Sequence, residues 1–189
     1  MTEIMGNELL QGERVYLDAI TKDDLPDYVK WFADMEFQRF LNPGIVFPFS
    51  AEDEEDWYEI QRKERQQGKS YSFAIRLKDG ATHVGGCGLM RINWQARSAM
   101  AGINIGAREN WGKGYGTDAM RVLLRYAFME LNMNRVGLEV FSYNPRAIRS
   151  YEKCGFREEG RVREAIFRDG VYFDKILMGI LRREWEEAR

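Results

Sequence analysis

The chain has 189 residues, of which 44% are hydrophobic, 13% aromatic and 31% charged, with 28 basic against 30 acidic groups for a formal net charge of −2. That composition describes one globular domain, residues 1–189, long enough to bury roughly 70% of its unfolded surface without a disulfide or metal, and it excludes a disordered tail protein or a fibrous repeat. The charge balance argues against bulk nucleic-acid binding, and no apolar run approaches the roughly 18 residues of a membrane span.

Residues 1–11 lack the basic start and apolar stretch of a secretory signal. Cys87 and Cys154 lie far apart and His83 is the sole histidine, so no common zinc site can be built and no metal is expected. Cysteine usage of this kind fits the reducing cytosol, and a cytoplasmic location is expected.

Glu13–Ile20 alternates as a first strand. Thr21 caps a helix, with Asp24 three residues on and Pro26 in its first turn, and that helix fades near Asp34. Phe40–Phe49 holds Pro43, Gly44 and Pro48 and reads as a loop. Ser50 opens a second helix that Gly68 stops. Strands follow at Ser70–Leu77, His83–Asn93 and Ser98–Ile105. Gly114–Leu131 is a strong helix on its apolar period, and Arg135–Phe141 is a short apolar strand. Asn144 and Pro145 open a helix through Cys154, ended by Gly155. Phe156–Phe167 and Val171–Leu181 form a closing hairpin around Arg168-Asp169-Gly170. The order β-α-α-β-β-β-α-β-α-β-β predicts an α/β fold, a mixed and largely antiparallel sheet of about seven strands with helices on both faces.

The most informative stretch is Asn110-Trp111-Gly112-Lys113-Gly114-Tyr115-Gly116-Thr117, between a strand and the strongest helix. Three glycines in five residues let the backbone approach a ligand closely. Their amides and those of the helix start converge on one spot, where the helix dipole adds positive potential, an arrangement suited to a phosphate or pyrophosphate. A tight turn without a ligand is the competing reading. The Walker A spacing fails, since Ala107 takes the first glycine position and Gly114 follows Lys113. The dinucleotide fingerprint fails as well, since Thr117 takes its third glycine.

About thirty residues on, Asn144-Pro145-Arg146-Ala147-Ile148-Arg149-Ser150-Tyr151-Glu152-Lys153-Cys154-Gly155-Phe156 starts a helix straight after a strand, with Asn144 and Tyr151 two turns apart on one face. The pairing of WGKGYGT with N-x-x-A-x-x-x-Y-x-K-x-G-F resembles the GCN5-related N-acetyltransferase (GNAT) superfamily. The likeness spans roughly residues 12–183 in element order and is strongest over 98–156. It is nearest to the branch of ribosomal-protein-alanine and spermidine N-acetyltransferases, which the segment Trp31 to Phe40 supports.

The resemblance implies acetyl-CoA as co-substrate, a primary amine as acceptor (a protein N-terminus, a polyamine or a small molecule), no nucleic-acid or membrane partner, and it allows a homodimer. It places the pyrophosphate on the main chain of Trp111, Gly112, Lys113, Gly114, Tyr115, Gly116 and Thr117. It places the pantetheine arm along Ile103, Asn104 and Ile105, whose amides would hold the oxyanion of the tetrahedral intermediate. Trp111 departs from the signature, which has Gln or Arg there. Tyr151 matches the tyrosine that protonates the leaving thiolate, against a reading as a core tyrosine. Asn144 matches the asparagine that bonds the cofactor or a water, and it is also a helix cap. Ala147 and Lys153 fall within the coenzyme-binding motif. For Lys113, Arg149 and Lys153, phosphate contact and plain solvation stay open.

No general base is assigned: many relatives have Glu in the strand before the glycine turn, and Met100 occupies that position. That gap keeps a non-catalytic acyl-CoA sensor or partner-binding module as the alternative to a direct ternary-complex transferase. The acidic run Glu52 to Asp56 reads as the capped first turn of a helix more than as a polyamine lure. His83 reads as a surface histidine, and Cys154 as a buried helix-end cysteine more than an acetyl carrier.

Overall fold

The computed structural model describes residues 8–188, so the reading of residues 1–7 lies outside the described part. Seven strands form one sheet in the order β1-β2-β3-β4-β5-β7-β6. They are β1 (Val15–Ala19), β2 (Tyr71–Leu77), β3 (His83–Asn93), β4 (Ser98–Ile105), β5 (Arg135–Phe141), β6 (Arg157–Arg168) and β7 (Val171–Leu181). Neighbours run antiparallel except β4 and β5, which are parallel. The expected α/β sheet with helices on both faces is therefore present.

On one face α4 (Tyr115–Arg125) buries Ala119, Met120, Val122, Leu123 and Leu124, the residues its 3.6 period gathers. Its first turn is tied down from a distance. The Asp118 carboxylate accepts hydrogen bonds from the amides of Glu13 (3.1 Å), Arg14 (2.7 Å) and Val15 (3.0 Å), fixing α4 against β1. The sequence predicts one helix through Leu131. Instead Tyr126–Glu130 forms a π turn, with the Leu131 amide reaching back to the Tyr126 carbonyl. The wider turn keeps Ala127 and Phe128 buried and leaves Glu130, the one polar residue of the expected apolar face, exposed. Beside α4 lies α5 (Pro145–Glu152).

The opposite face carries α1 (Leu25–Phe32), α2 (Met35–Arg39) and α3 (Ala51–Gln66). Leu25, Tyr28, Trp31 and Phe37 form a second small core there, with Trp57, Tyr58 and Trp111 packed against it. Trp31 lies so close to the chain leaving β4 that a Cβ on Gly106 would fall 1.9 Å from its ring. The α3 start is the capping box expected, with the Ser50 amide donating to Asp53 and the Asp53 amide to the Ser50 hydroxyl.

Three further points differ from the sequence reading. α2 was not expected; Asp34 caps it by accepting from the amides of Glu36 and Phe37. A last helix, α6 (Arg182–Glu187), follows β7, with the Leu181 amide donating to Glu184. His83 is not a surface residue. Its side chain is 4% exposed, with Nδ1 2.9 Å from Asp27, Nε2 3.0 Å from the Gly85 carbonyl, and the ring against Tyr28 and Trp31. The turn before it is exposed, and burial of the ring follows from its packing against α1.

Candidate active site

The site begins with a failure of pairing. β4 and β5 are joined at Ser98–Arg135, Ala99–Val136 and Met100–Gly137, and then part. Beyond that point β4 keeps β3 as far as Ile105, and β5 keeps β7 as far as Phe141. The V between them opens a cleft of about 300 Å³. Ile103, Asn104 and Ile105 line it from one side, Val140 and Glu139 from the other, and Phe37, Phe40 and Leu41 of the α2 region close one end. The Gly106 amide donates to the Val84 carbonyl. Strand alternation therefore turns the amides of Ile103 and Ile105 away from β3 and toward the gap, and the amide of Asn104 toward β3. The Asn104 side chain also turns that way, its Oδ1 accepting from the Gly86 amide.

The glycine turn closes the cleft above Ile105. Gly112 (φ 75°) and Gly114 (φ 86°) are left-handed, a conformation that strains any residue with a Cβ. A Cβ on Gly112 would meet nothing within 4 Å, so backbone conformation and not crowding demands glycine there. Arg14 donates to the Lys113 carbonyl at 2.8 Å and pins the turn. Asp118 is the first residue of α4 whose amide bonds back, to the Gly114 carbonyl. The amides of Tyr115, Gly116 and Thr117 are left without helical partners at the positive end of the helix. Trp111, Gly112, Gly114, Tyr115, Gly116 and Thr117 all line the cleft; Lys113 does not, and it contributes through its carbonyl.

α5 forms the facing wall. Asn144 is buried, and its Oδ1 caps the helix by accepting from the Ala147 amide at 3.2 Å. Ala147, Tyr151 and Lys153 line the cleft with it. Tyr151 is half-buried, edge-on to Phe156, and burial, with a smaller push from Cys154, moves its pKa up to about 12. The phenol therefore stays protonated at neutral pH and can only donate or accept as a neutral group. Cys154 is buried, its thiol directed at the Thr117 carbonyl, and burial pushes its pKa up to about 11. A thiol so held is a poor nucleophile. The hydroxyls of Thr117 and Ser150 lie 2.7 Å apart and tie the first turn of α4 to α5, a contact the sequence reading did not include.

Sequence reasoning also missed Glu139. On β5, Val136, Leu138 and Val140 pack into the core beside α4, so Glu139 between them projects from the opposite face. It lines the cleft and pairs with Lys175 Nζ at 3.1 Å. The available signal was one carboxylate inside the otherwise apolar run Val136 to Phe141. Among the described residues no group of three or more His, Cys, Asp or Glu is placed to hold a metal, and no helix is long and apolar enough to cross a membrane.

A parted pair of parallel strands, a glycine turn feeding a helix N-terminus and a tyrosine on the next helix together match a known pattern. The family model for the acetyltransferase (GNAT) domain matches residues 14–157. The chain belongs to the GNAT family.

Likeness extends over most of the chain. An uncharacterised N-acetyltransferase, p20 of Bacillus licheniformis, is 27% identical over 179 residues, 94% of this chain and 98% of that one. The spermidine N(1)-acetyltransferase of Vibrio cholerae is 40% identical over 97 residues, 51% of this chain and 56% of that one. A crystal structure of spermidine N-acetyltransferase from Vibrio cholerae in complex with CoA and spermine superposes with a TM-score of 0.80 at 28% identity, covering 91% of this chain and 98% of that one. This GNAT protein is accordingly an acetyl-CoA-dependent N-acetyltransferase, and the resemblance to the spermidine branch holds at the level of relatives.

Proposed function

We propose that the enzyme moves the acetyl group of acetyl-CoA directly to a primary amine that carries a single positive charge and an apolar flank, as a protein N-terminus does. The observation that carries this is the parting of β4 and β5 after Met100 and Gly137, which leaves one cleft open to both faces of the sheet. The glycine turn and α5 hold the coenzyme from one face. The amine arrives on the other, where Phe37, Phe40 and Leu41 offer an apolar wall.

The chemistry follows from the residues in place. Ile103 and Ile105 aim amides into the gap and stabilise the oxyanion that forms when the amine nitrogen attacks the thioester carbon. Glu139, on the amine's face, takes the proton that the attacking nitrogen must lose. The C–S bond then breaks, and Tyr151, still protonated, donates to the departing sulfur. Glu139 fills the role that Met100 cannot, which removes the motive for a non-catalytic sensor. Cys154, buried and with a raised pKa, offers no acetyl-enzyme route, which supports a ternary complex.

The acceptor class follows from charge. Among the described residues Glu139 is the sole carboxylate lining the cleft, against three cations, Arg146, Arg149 and Lys153. A polyamine brings several charges and would meet one acid. The polyamine reading has its support in the relatives, which include spermidine N-acetyltransferases.

The test is thiol release with acetyl-CoA and three acceptors: a short peptide with a free N-terminus, spermidine and an amino sugar. The peptide is expected to have the highest kcat/KM, with intersecting initial-rate lines. Preference for spermidine would overturn the acceptor assignment, and parallel lines would overturn direct transfer.

A further inference from the structure

The turn that cradles the diphosphate lacks a side-chain cation directed into the cleft. Trp111 stands where the family signature has Gln or Arg, and Lys113 is exposed and does not line the cleft. A guanidinium nevertheless sits at that spot. Arg146, in the first turn of α5, places its guanidinium carbon 3.9 Å from the centroid of the Trp111 ring and 5.8 Å from that of Phe40. It lines the same cleft.

We propose that Arg146 is a phosphate-binding residue of the coenzyme cleft, reaching across from α5 to supply the charge that Trp111 cannot, with the pyrophosphate as its ligand. This rests on the reading of the cleft as the acetyl-CoA site. Three observations carry it.

The first is the stack itself. An indole beneath the guanidinium covers its face and leaves the edge donors free, and a carboxylate or phosphate takes a guanidinium by that edge. Trp111 is in turn tethered, since its Nε1 donates to the Ile105 carbonyl at 2.7 Å. The cation is therefore held before any anion arrives, and less side-chain entropy is lost on binding.

The second is the lack of an acid. Partial burial lowers the Arg146 pKa from its ordinary value and no carboxylate acts to raise it, whereas Arg39, Arg76, Arg108 and Arg161 all have acidic partners that do. Among the described residues no carboxylate pairs with this guanidinium, so its charge is left for an anion to neutralise.

The third is the company it keeps. Arg149 and Lys153 follow at three and seven residues, on the helical period, and line the cleft with Arg146. α5 thus presents a basic stripe to a cleft whose other wall is the amide-rich end of α4.

The experiment is calorimetric titration of the full chain and of its R146A and R146K variants with CoA, dephospho-CoA and pantetheine. Arg146 is exposed on a helix end, so folding is expected to survive, and circular dichroism checks it. R146A is expected to weaken CoA and dephospho-CoA alike, by about tenfold or more, and to leave pantetheine unchanged. R146K, which keeps the charge but not the fork, is expected to fall between. Equal loss for pantetheine would make Arg146 a packing residue and overturn the proposal. Loss for CoA without loss for dephospho-CoA would move the contact to the 3′-phosphate and overturn the pyrophosphate assignment. Tight, equal CoA binding by wild type and R146A would overturn the role of Arg146 while leaving the coenzyme site intact. A wild type that binds no CoA would overturn both.

Discussion

Glu139 projects from the same face of the sheet as Met100, one strand across and one pleat along, because Met100 pairs with Gly137 in the parallel β4–β5 register. The carboxylate missing from β4 is thus present on β5, where the two strands separate. Replacing Glu139 by Gln keeps the shape and removes the proposed proton acceptor. E139Q is expected to lower kcat/KM for the amine about 10²-fold, with CoA affinity unchanged. Steady-state rates together with CoA titration measure both. A variant with full turnover would show that the amine arrives neutral or that water takes its proton.

In the proposed mechanism Tyr151 acts at the other end of the same event. Its raised pKa makes it a weak acid but a constant hydrogen-bond donor across the physiological range. Tyr151→Phe removes one oxygen and leaves the edge contact with Phe156 in place. A fall in kcat of ~10²-fold is expected, with CoA binding nearly kept, because the contact strengthens as charge develops on sulfur. A raised KM for acetyl-CoA at unchanged kcat would instead assign the hydroxyl to ground-state binding.

The glycine turn allows a test of conformation without chemistry. Gly112 has open space beside it and Gly114 lies 3.9 Å from Arg14 at its nearest, so alanine at either fits sterically but not in φ. Each substitution is expected to destabilise the fold by about 1 kcal/mol through strain. If strain is relieved by shifting the turn, the amides move with it, and CoA affinity falls more than stability does. Urea unfolding and CoA titration on G112A and G114A separate the two effects. Variants weakened in neither would show that the left-handed turn is dispensable.

Much of this architecture was legible in the sequence. β3, β4, β5 and β7 run over the residues expected, because alternating apolar faces bounded by turn residues leave little freedom of register. The glycine turn and the Asn144 cap were readable because only a few backbone conformations need those residues. What escaped depends on distant partners. α2 is five residues long, too short to hold by propensity, and its cap Asp34 and its Glu36 are fastened by Arg108, 74 residues away from Asp34 in sequence. His83 is buried by α1, which local pattern does not reveal. Glu139 reads as an ordinary outward residue of a strand, since nothing in Arg135 to Phe141 says that the neighbouring strand will leave.

Glu54 makes a final prediction, about stability. It lies in the first turns of α3, where the helix dipole favours a negative charge, yet it is 3% exposed and its pKa is raised to about 7 from 4.5. Burial is the larger cause, and repulsion from Asp53 adds to it. The fold therefore prefers the protonated carboxyl. Below about pH 4.5 both folded and unfolded chains hold that proton, and Glu54 costs nothing. As pH rises from 4.5 to 7 the unfolded chain releases the proton first, and the folded state loses stability relative to it. Above about pH 7 the loss levels off at about 3 kcal/mol, the size of the shift in free energy. Glu54→Gln keeps the shape without the titration. Its stability relative to wild type is expected to climb across that window and stay flat on either side, as read by urea unfolding from about pH 4 to pH 8. A difference that does not change with pH would mean that the Glu54 carboxyl is hydrated in solution and that this turn of α3 packs less tightly than the burial of Glu54 implies.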